Sequence, residues 1–388
     1  MSMSKKSSKI YRYQLSGSQK KSGVNLWRFV FNGTEKGTGQ ERKFFIELYM
    51  LNQFLSPNEA LLGFKSRVSI SAEDLHNVLA GTVSAQNIKS ETFVIPSYIA
   101  LRAGVLGTGA KQVCSYSASK EVSISPSSFN IQGKNFSFDS EKIYGSIECS
   151  PGEINEKPEL LCDSGSFSWD LRYEIRTDFD KGYSDKKVSW FPVGAKTVFS
   201  GSVSLDGKVY DVMPSASCGY IDRYFGKDLA FPWVHISSTK LTSIISGKTL
   251  TNSTFAIQGV FENQISAVLD IEGNSFVFEP KNGKKTEKAV WNFSEMPENK
   301  EGEDLHWTIS LNKKSYVVDI DVFCTSSKMY VKTVEMSEGK RAVLKVLSGG
   351  TGTGEIRVYR RIKKNLELIE HAKVSNVLCE FGQKEIPV

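Results

Sequence analysis

The chain has 388 residues, of which 40% are hydrophobic and 24% charged, a composition that excludes long disorder and a fibrous protein. Lys and Arg outnumber Asp and Glu by 49 to 43, but the basic residues are spread along the chain, which disfavours a nucleic-acid-binding protein. No uninterrupted apolar run approaches the roughly 18 to 20 residues of a membrane-spanning helix, which excludes an integral membrane protein.

The amino-terminal segment 1–9 is basic and rich in Ser, and no apolar stretch follows it. Such a segment is not a secretory signal, so we predict a cytoplasmic protein. Six cysteines without a Cys-x-x-Cys pair agree with reduced thiols. Helical signals are short: capping residues begin possible turns at Ser56–Leu62 and at Ser71–Leu79.

Alternation of apolar and polar residues dominates the remainder of the chain. The Asp206-Gly207 pair lies between two alternating runs in Gly201–Val212, and it supplies the positive φ of a tight hairpin turn. In Ser315–Cys324 the apolar residues occupy every second position, as expected for a strand with one solvated face. Hairpins of this kind recur through both halves and predict a β-rich meander.

The predicted fold class is therefore all-β, with two packed antiparallel β domains, each a barrel or a sandwich, and a few short helices. The helices are too short to cover sheets of this size, so the sheets must pack on each other or close on themselves. Pro192 and Gly194 interrupt the pattern at the best seam. We predict an amino-terminal β domain over 1–193 and a carboxy-terminal β domain over 194–388.

Several apparent motifs fail on spacing. Gly104–Lys111 lacks the Lys-Ser/Thr ending of a phosphate-binding loop and is predicted to be a turn. Gly349–Gly354 lies between two strand-like runs and is predicted to be a hairpin connection. The four histidines form no pair at i, i+2 or i, i+4, and no nucleophile elbow is present. We therefore predict no metal site and no cofactor.

The densest unusual stretch is Cys218–Thr239, where aromatic residues surround acidic and basic ones. A carboxyl group beside aromatic walls can have a raised pKa and remain protonated, which makes Asp222 a candidate acid. The alternative is that Asp222 and Arg223 form a solvated pair and the aromatic residues are ordinary core.

The block Trp190–Leu241 resembles the tocopherol cyclase family, in which an aromatic, acidic and Gly-containing motif precedes a Phe-Pro and Trp segment. Weaker similarity occurs around Trp27, at Lys43–Asn58 and at Leu347–Gly382. The family motif reads acid, Lys, Asn, Trp, Gly, and this chain has Asp-Arg-Tyr-Phe-Gly at 222–226. The resemblance implies a pair of lipocalin-like β domains that are remotely similar to carotenoid hydratases.

It also implies a hydrophobic, prenylated small-molecule partner that is cyclised or hydrated by an acid. Asp222 and Arg223 are the candidate catalytic residues. The candidate substrate-binding residues are Trp27, Tyr220, Tyr224, Phe225, Phe231, Trp233 and His235. Whether the chain is an enzyme stays open. The main alternative is a non-catalytic carrier of a hydrophobic ligand, and the third is an interaction module without a cavity. Oligomeric state is not predicted.

Overall fold

The computed structural model describes residues 17–64, 67–68, 72–84, 91–92, 94–184, 188–259, 265–279, 288–296 and 302–386. Most of these residues belong to two large curled antiparallel sheets, one of 13 strands and one of 11. The all-β fold class with few short helices is confirmed. We call each sheet with the core that it encloses a lobe, and the region between the two sheets the junction.

The strands of the first half are β1 (Val24–Glu35), β2 (Glu41–Leu51), β3 (Arg67–Val68), β4 (Glu91–Thr92), β5 (Tyr98–Leu106), β6 (Lys111–Ser117), β7 (Ser123–Ile124), β8 (Asn130–Gly133), β9 (Phe136–Asp139), β10 (Lys142–Cys149), β11 (Gly165–Thr177), β12 (Tyr183–Ser184), β13 (Val188–Leu205), β14 (Lys208–Val212) and β15 (Gly219–Gly226). Their order in the first sheet is β6-β5-β2-β1-β14-β13-β11-β10-β9-β8-β7, with β15 paired to β1 and β13, and β12 to β13. Strands β3 and β4 form a separate pair.

The strands of the second sheet are β16 (Trp233–Ser238), β17 (Lys240–Ser243), β18 (Thr254–Gly259), β19 (Ile265–Ile271), β20 (Asn274–Phe278), β21 (Lys288–Glu295), β22 (Asp304–Asn312), β23 (Tyr316–Thr325), β24 (Met329–Glu335), β25 (Val343–Ile362) and β26 (Asn365–Glu385). Their order is β20-β19-β18-β16-β26-β25-β23-β22-β21, with β17 paired to β26 and β24 to β25. The helices are α1 (Ala72–Leu79), α2 (Pro151–Glu156) and the 3-10 turns Gly17–Lys20, Ser119–Glu121, Pro158–Leu160 and Ser326–Lys328.

Three apolar cores follow from this arrangement, one inside each lobe and one in the junction. On β1, Trp27 and Phe29 point into the first lobe, whereas Leu26 and Val30 point into the junction. Successive side chains of a strand face opposite ways, so a strand between two cores is buried on both faces. This explains why β1, β2 and β5 are buried along almost their whole length.

Most local expectations are confirmed. Asp206 and Gly207 have φ values of 49° and 81° and connect β13 to β14. The glycine-rich segment 104–111 is the hairpin connection from β5 to β6. A helix covers Ala72–Leu79, while Ser71 lies outside the described residues. The helical turn expected at Ser56–Leu62 is wrong, because that segment forms irregular turns.

The segment Gly349–Gly354 is not a hairpin connection, contrary to the prediction. It lies in the middle of the 20-residue strand β25, which stays paired with β26 through two register shifts there. A Cβ atom at Gly354 would overlap the carbonyl oxygen of Asp321 on β23, and one at Gly352 would overlap Cys379 Sγ on β26. The glycines therefore permit the close approach of both neighbouring strands where the pairing with β26 is irregular.

The chain passes from the first sheet to the second between Gly226 and Trp233. The predicted seam between residues 193 and 194 falls inside β13. The division of the chain into domains 1–193 and 194–388 stays a prediction. Within the described ranges, none of the helices has the length and apolar character needed to cross a bilayer.

Candidate functional site

Strand alternation separates the two predicted catalytic residues. On β15, Tyr220 and Tyr224 belong to the junction core, whereas Ile221 belongs to the core of the first lobe. Asp222 therefore faces the junction and Arg223 faces the first lobe. The solvated-pair alternative fails as well, because Asp222 is 2% exposed and Arg223 is 1% exposed.

Arg223 packs between aromatic rings. Its guanidinium carbon lies 4.9 Å from the centre of the Trp27 ring and 4.4 Å from that of Phe225. Its Nε donates a hydrogen bond of 3.4 Å to Asn25 Oδ1. The structure thus brings together Trp27, Arg223 and Phe225, three of the predicted site residues, but on the face away from Asp222.

Asp222 accepts four hydrogen bonds in the junction. Arg28 donates from Nε to Oδ1 at 3.1 Å and from Nη2 to Oδ2 at 2.6 Å. Trp190 Nε1 and the Tyr220 hydroxyl each donate to Oδ2 at 3.0 Å. A carboxylate with this many donors is held in its ionised form.

The ion pair of Asp222 and Arg28 is one end of a larger buried assembly, which we call the charge network. Arg28 also donates to Glu380 Oε2 at 2.6 Å, and Lys332 Nζ lies 3.0 Å from Glu380 Oε1 and 2.9 Å from Glu47 Oε1. Arg102 Nη1 lies 3.8 Å from Glu47 Oε2. The charge network consists of Asp222, Arg28, Glu380, Lys332, Glu47 and Arg102. Opposite charges alternate along it, and it joins both sheets.

Strand register builds the first-lobe part of the charge network. Asp222 is opposite Arg28, Arg28 is opposite Glu47, and Glu47 is opposite Arg102. Four neighbouring strands therefore present alternating charges in one row, in which directly opposed residues attract each other.

Asp222 does not stay protonated, so that expectation is wrong. Burial alone would raise the pKa of Asp222, but the charge and hydrogen bonds of Arg28 outweigh it and leave the pKa below its usual value. Arg28 comes from a strand nearly 200 positions earlier in the sequence and could not be paired with Asp222 from local sequence. The catalytic roles of Asp222 and Arg223 stay predictions.

His235 faces the junction beside this assembly. Its ring lies 5.5 Å from that of Tyr220, and its nitrogens contact Gln258 Oε1 at 2.9 Å and Ser237 Oγ at 3.0 Å. Burial and the nearby charge of Arg28 lower the pKa of His235 to about 4. The imidazole is therefore neutral near pH 7 and has hydrogen-bonding partners on both sides.

The other predicted aromatic residues occupy two environments. Tyr224 and Trp233 are buried in the junction with ring centres 5.6 Å apart, and Trp233 Nε1 donates to Glu380 Oε2 at 2.8 Å. Phe231 lies at the surface with 36% exposure, under the amine of Lys384. Their role in substrate binding stays a prediction.

The environment predicted for Asp222 occurs instead at Glu335, which sequence reasoning missed. Burial raises the pKa of Glu335 to about 7, against hydrogen bonds from Tyr98 and from the backbone at Gly63. Tyr49 donates its hydroxyl proton to the Glu335 carbonyl oxygen at 2.8 Å, and its ring lies 6.4 Å from that of Tyr98. Glu335 is thus a buried carboxyl group among tyrosines that is partly protonated near neutrality.

Among the described residues of the second lobe, two cavities are large enough to be relevant to ligand binding. One of about 810 Å³ is lined by Ile271, Glu272, Gly273, Asn274, Ser275, Phe276, Ser315, Tyr316, Val358, Arg360, Arg361, Ile369 and Glu370. The other, of about 730 Å³, is a groove whose lining includes Phe323 and Val374 together with Asp321, Glu355 and Arg357. Neither cavity is lined by a predicted site residue or by Glu335. We call the first the end cavity, because it is bordered by the turns at one end of the second lobe.

Comparisons with known proteins give distant similarity. Neither a family model nor a curated protein matches the chain. Among solved structures, a putative AttH protein from Nitrosomonas europaea is 11% identical, with a TM-score of 0.43 and coverage of 94% of this chain and 97% of that one. Kievitone hydratase from Nectria haematococca is 11% identical (TM-score 0.43; coverage 97% and 96%). CghA with Sch210972 is 8% identical (TM-score 0.44; coverage 94% and 89%). These values assign neither family nor activity, so the resemblance to tocopherol cyclases stays a prediction.

Proposed function

We propose that the protein binds a hydrophobic, prenyl-type small molecule in the end cavity, as a lipocalin-like carrier does. The observation that carries this proposal is the combination of volume and walls. About 810 Å³ lies within the range of small-molecule sites, and the lining combines aromatic and aliphatic side chains with polar and charged groups.

The walls of the end cavity suit an elongated apolar ligand with one polar end. Phe276 and Tyr316 meet edge to face with ring centres 4.9 Å apart, and Ile271 and Ile369 supply aliphatic surface. At the rim, Arg360 and Arg361 offer donors to a carboxylate or a phenolic oxygen. Glu272 and Glu370 also lie at the rim. Glu272 accepts a hydrogen bond from the Ser253 hydroxyl, and Glu370 accepts one from the Ser243 hydroxyl.

The proposal is tested by filling the end cavity. Ser315 is exposed at its rim, so Ser315→Trp would occupy the opening without disturbing the core. Ser140→Trp, at an exposed turn of the first lobe, is the matched control. Binding of a fluorescent fatty-acid probe and of a prenyl quinol is measured by titration. We expect Ser315→Trp to weaken binding at least tenfold and Ser140→Trp to leave it unchanged; equal binding by both variants refutes the assignment.

The second candidate function is acid-promoted cyclisation or hydration of an alkene, and Glu335 favours it. A carboxylic acid with a pKa of about 7 can donate a proton near neutral pH and accept it back. The proton would go to an alkene carbon, and a phenolic oxygen or water would then bond to the cation and return a proton to Glu335. Binding ranks first because the described cavities do not touch Glu335.

Incubation with prenyl quinols separates the two candidates. A cyclised or hydrated product that is lost in Glu335→Gln, while probe binding persists, supports catalysis. Binding without any product supports the carrier.

A further inference from the structure

The hairpin that joins β25 to β26 projects an unusual set of side chains into solvent. Ile362 is 50% exposed, Leu366 is 47% exposed and Leu368 is 43% exposed, all within seven positions of one turn. Single exposed apolar residues are common on protein surfaces, but a group of three on one hairpin tip requires an explanation.

The register of the hairpin shows that these side chains do not share one face. Ile362 is opposite Asn365, whereas Leu366 is opposite Arg361. Directly opposed residues of an antiparallel pair lie on the same face and adjacent pairs lie on opposite faces, so the tip is apolar on both sides. A folded partner surface would cover one side of the tip. A fluid apolar layer would cover both.

Basic residues surround the apolar tip. Lys363 and Lys364 form the turn itself and are exposed, and Arg360 and Arg361 precede them. The neighbouring turn adds the exposed Lys314, since the backbone amide of Arg361 donates to Ser315 O at 2.8 Å, whereas the amine of Lys313 donates to Val277 O. The acidic side chains on the hairpin and at the cavity rim are Glu272, Glu367 and Glu370. The end of the second lobe is therefore positively charged around an apolar tip.

We propose that this hairpin docks the protein on the surface of a bilayer that contains anionic phospholipid. Ile362, Leu366 and Leu368 would enter the boundary between headgroups and acyl chains, while the lysine and arginine side chains reach lipid phosphates. Membrane binding of this peripheral kind combines buried apolar area with attraction between basic residues and anionic lipid.

The end cavity lies directly beside this hairpin, since Arg360, Arg361 and Ile369 line it. A hydrophobic ligand could thus pass between bilayer and cavity with little exposure to water. The docking proposal goes beyond the proposed function and does not depend on it, because it rests on exposed residues of the hairpin and of the neighbouring turn.

The test is co-sedimentation of the ligand-free full chain with phosphatidylcholine vesicles that contain or lack 30% phosphatidylserine. We expect binding only to the anionic vesicles, with weaker binding as salt rises. Lys363→Gln/Lys364→Gln should weaken binding about 30-fold, and Ile362→Ser/Leu366→Ser at least tenfold. Lys364→Glu is a single change at an exposed turn residue, so the fold of this variant is not at risk, and its binding to the anionic vesicles should also be weaker.

The matched control is Lys208→Gln/Val209→Ser, which changes one exposed lysine and one exposed apolar residue on the β13–β14 hairpin of the first lobe. It should bind the anionic vesicles like the unmodified protein. The proposal is overturned if anionic and neutral vesicles bind equally, if neither binds, or if the β25–β26 hairpin variants bind as tightly as the control. A dimer that dissociates in Ile362→Ser/Leu366→Ser also overturns it, because the tip would then be covered by a second copy. Probe binding without vesicles reports on the end cavity separately.

Discussion

The charge network gives the sharpest prediction, because its carboxylates are fully buried and fully paired. In Asp222→Asn the side chain keeps its shape but loses its negative charge. All groups around the carboxylate are donors: two nitrogens of Arg28, Trp190 Nε1 and the Tyr220 hydroxyl. Whichever way the new amide is oriented, its NH2 group faces at least one donor, and Arg28 keeps only Glu380 as a charged partner.

The size of the effect follows from burial. Breaking a buried ion pair by removing one partner destabilises a protein by roughly 3–5 kcal/mol, because the remaining charge stays desolvated. Asp222 and Arg28 side chains are 3% and 2% exposed, so solvent does not screen the loss. We therefore expect Asp222→Asn to lower the free energy of unfolding by about 3–5 kcal/mol at pH 7.

The pH dependence has a defined sign. Because the pKa of Asp222 is lowered by folding, its ionised form contributes stability above the pKa of the unfolded chain, about 3.9. That stability is lost as the pH falls from there through the folded-state pKa. Asp222→Asn should remove this contribution, so the difference between the two proteins should be largest above about pH 5 and shrink in acid.

The assay is urea denaturation followed by tryptophan fluorescence at several pH values. Asp211→Asn is the matched control, since Asp211 forms a 3.2 Å ion pair with Lys36 whose partners are 46% and 58% exposed. Exposed pairs contribute only about 0–1 kcal/mol. If Asp222→Asn destabilises the protein no more than Asp211→Asn, the buried pair of Asp222 and Arg28 does not stabilise the fold. A stable Asp222→Asn variant that loses turnover would instead support the predicted catalytic role of Asp222.

Three further predictions concern other buried groups. The folded-state pKa of Glu335, raised to about 7, makes a contribution to stability that falls by on the order of 3 kcal/mol as the pH rises from about 4.5 to 7, and Glu335→Gln should remove it. Thermal denaturation across that range measures the difference between the two proteins, because the opposite contribution of His235, whose pKa is lowered to about 4, is common to both. Trp233→Phe removes the donor to Glu380 and should cost about 1–3 kcal/mol in urea denaturation, while probe binding in the end cavity stays unchanged; loss of binding would favour the predicted junction site. Gly354→Ala places a Cβ atom against the Asp321 carbonyl oxygen and should cost more than about 2 kcal/mol in thermal denaturation, and a neutral result would contradict the close approach of β25 to β23 at this position.

Strands and turns that follow from short sequence patterns are predicted correctly. The alternation in Ser315–Cys324 became β23, with Val318, Ile320 and Val322 buried. The Asp206-Gly207 turn also formed as predicted, because positive φ values are a property of those residue types. The hairpin connection predicted at Gly349–Gly354 is wrong because glycine favours both turns and bulges, and only the pairing of the strand with its neighbours decides between them.

The candidate site could be predicted only in part, because its chemistry comes from distant strands. The sequence predicts aromatic residues around Asp222 but leaves its burial open, and the partner that keeps Asp222 ionised lies on the distant strand β1. A usable signal was present: Arg28, Glu47 and Arg102 are single charges within otherwise apolar runs. Such residues are almost never fully buried unless they are paired, so their presence in buried strands predicts partners without naming them.

The charge network also determines where a ligand can reach the interior. Opening the lobes at the junction would separate Arg28 from Glu380 and Lys332 from Glu47, since each of these pairs joins the two sheets. Each separation would leave buried charges without partners unless water entered, at a cost of several kcal/mol per pair. Two lobes in one chain commonly move relative to each other, but an interface of this kind opposes that motion. Ligand access is therefore expected at the free end of the second lobe, where the end cavity opens beside the β25–β26 hairpin and no ion pair of the charge network has to break.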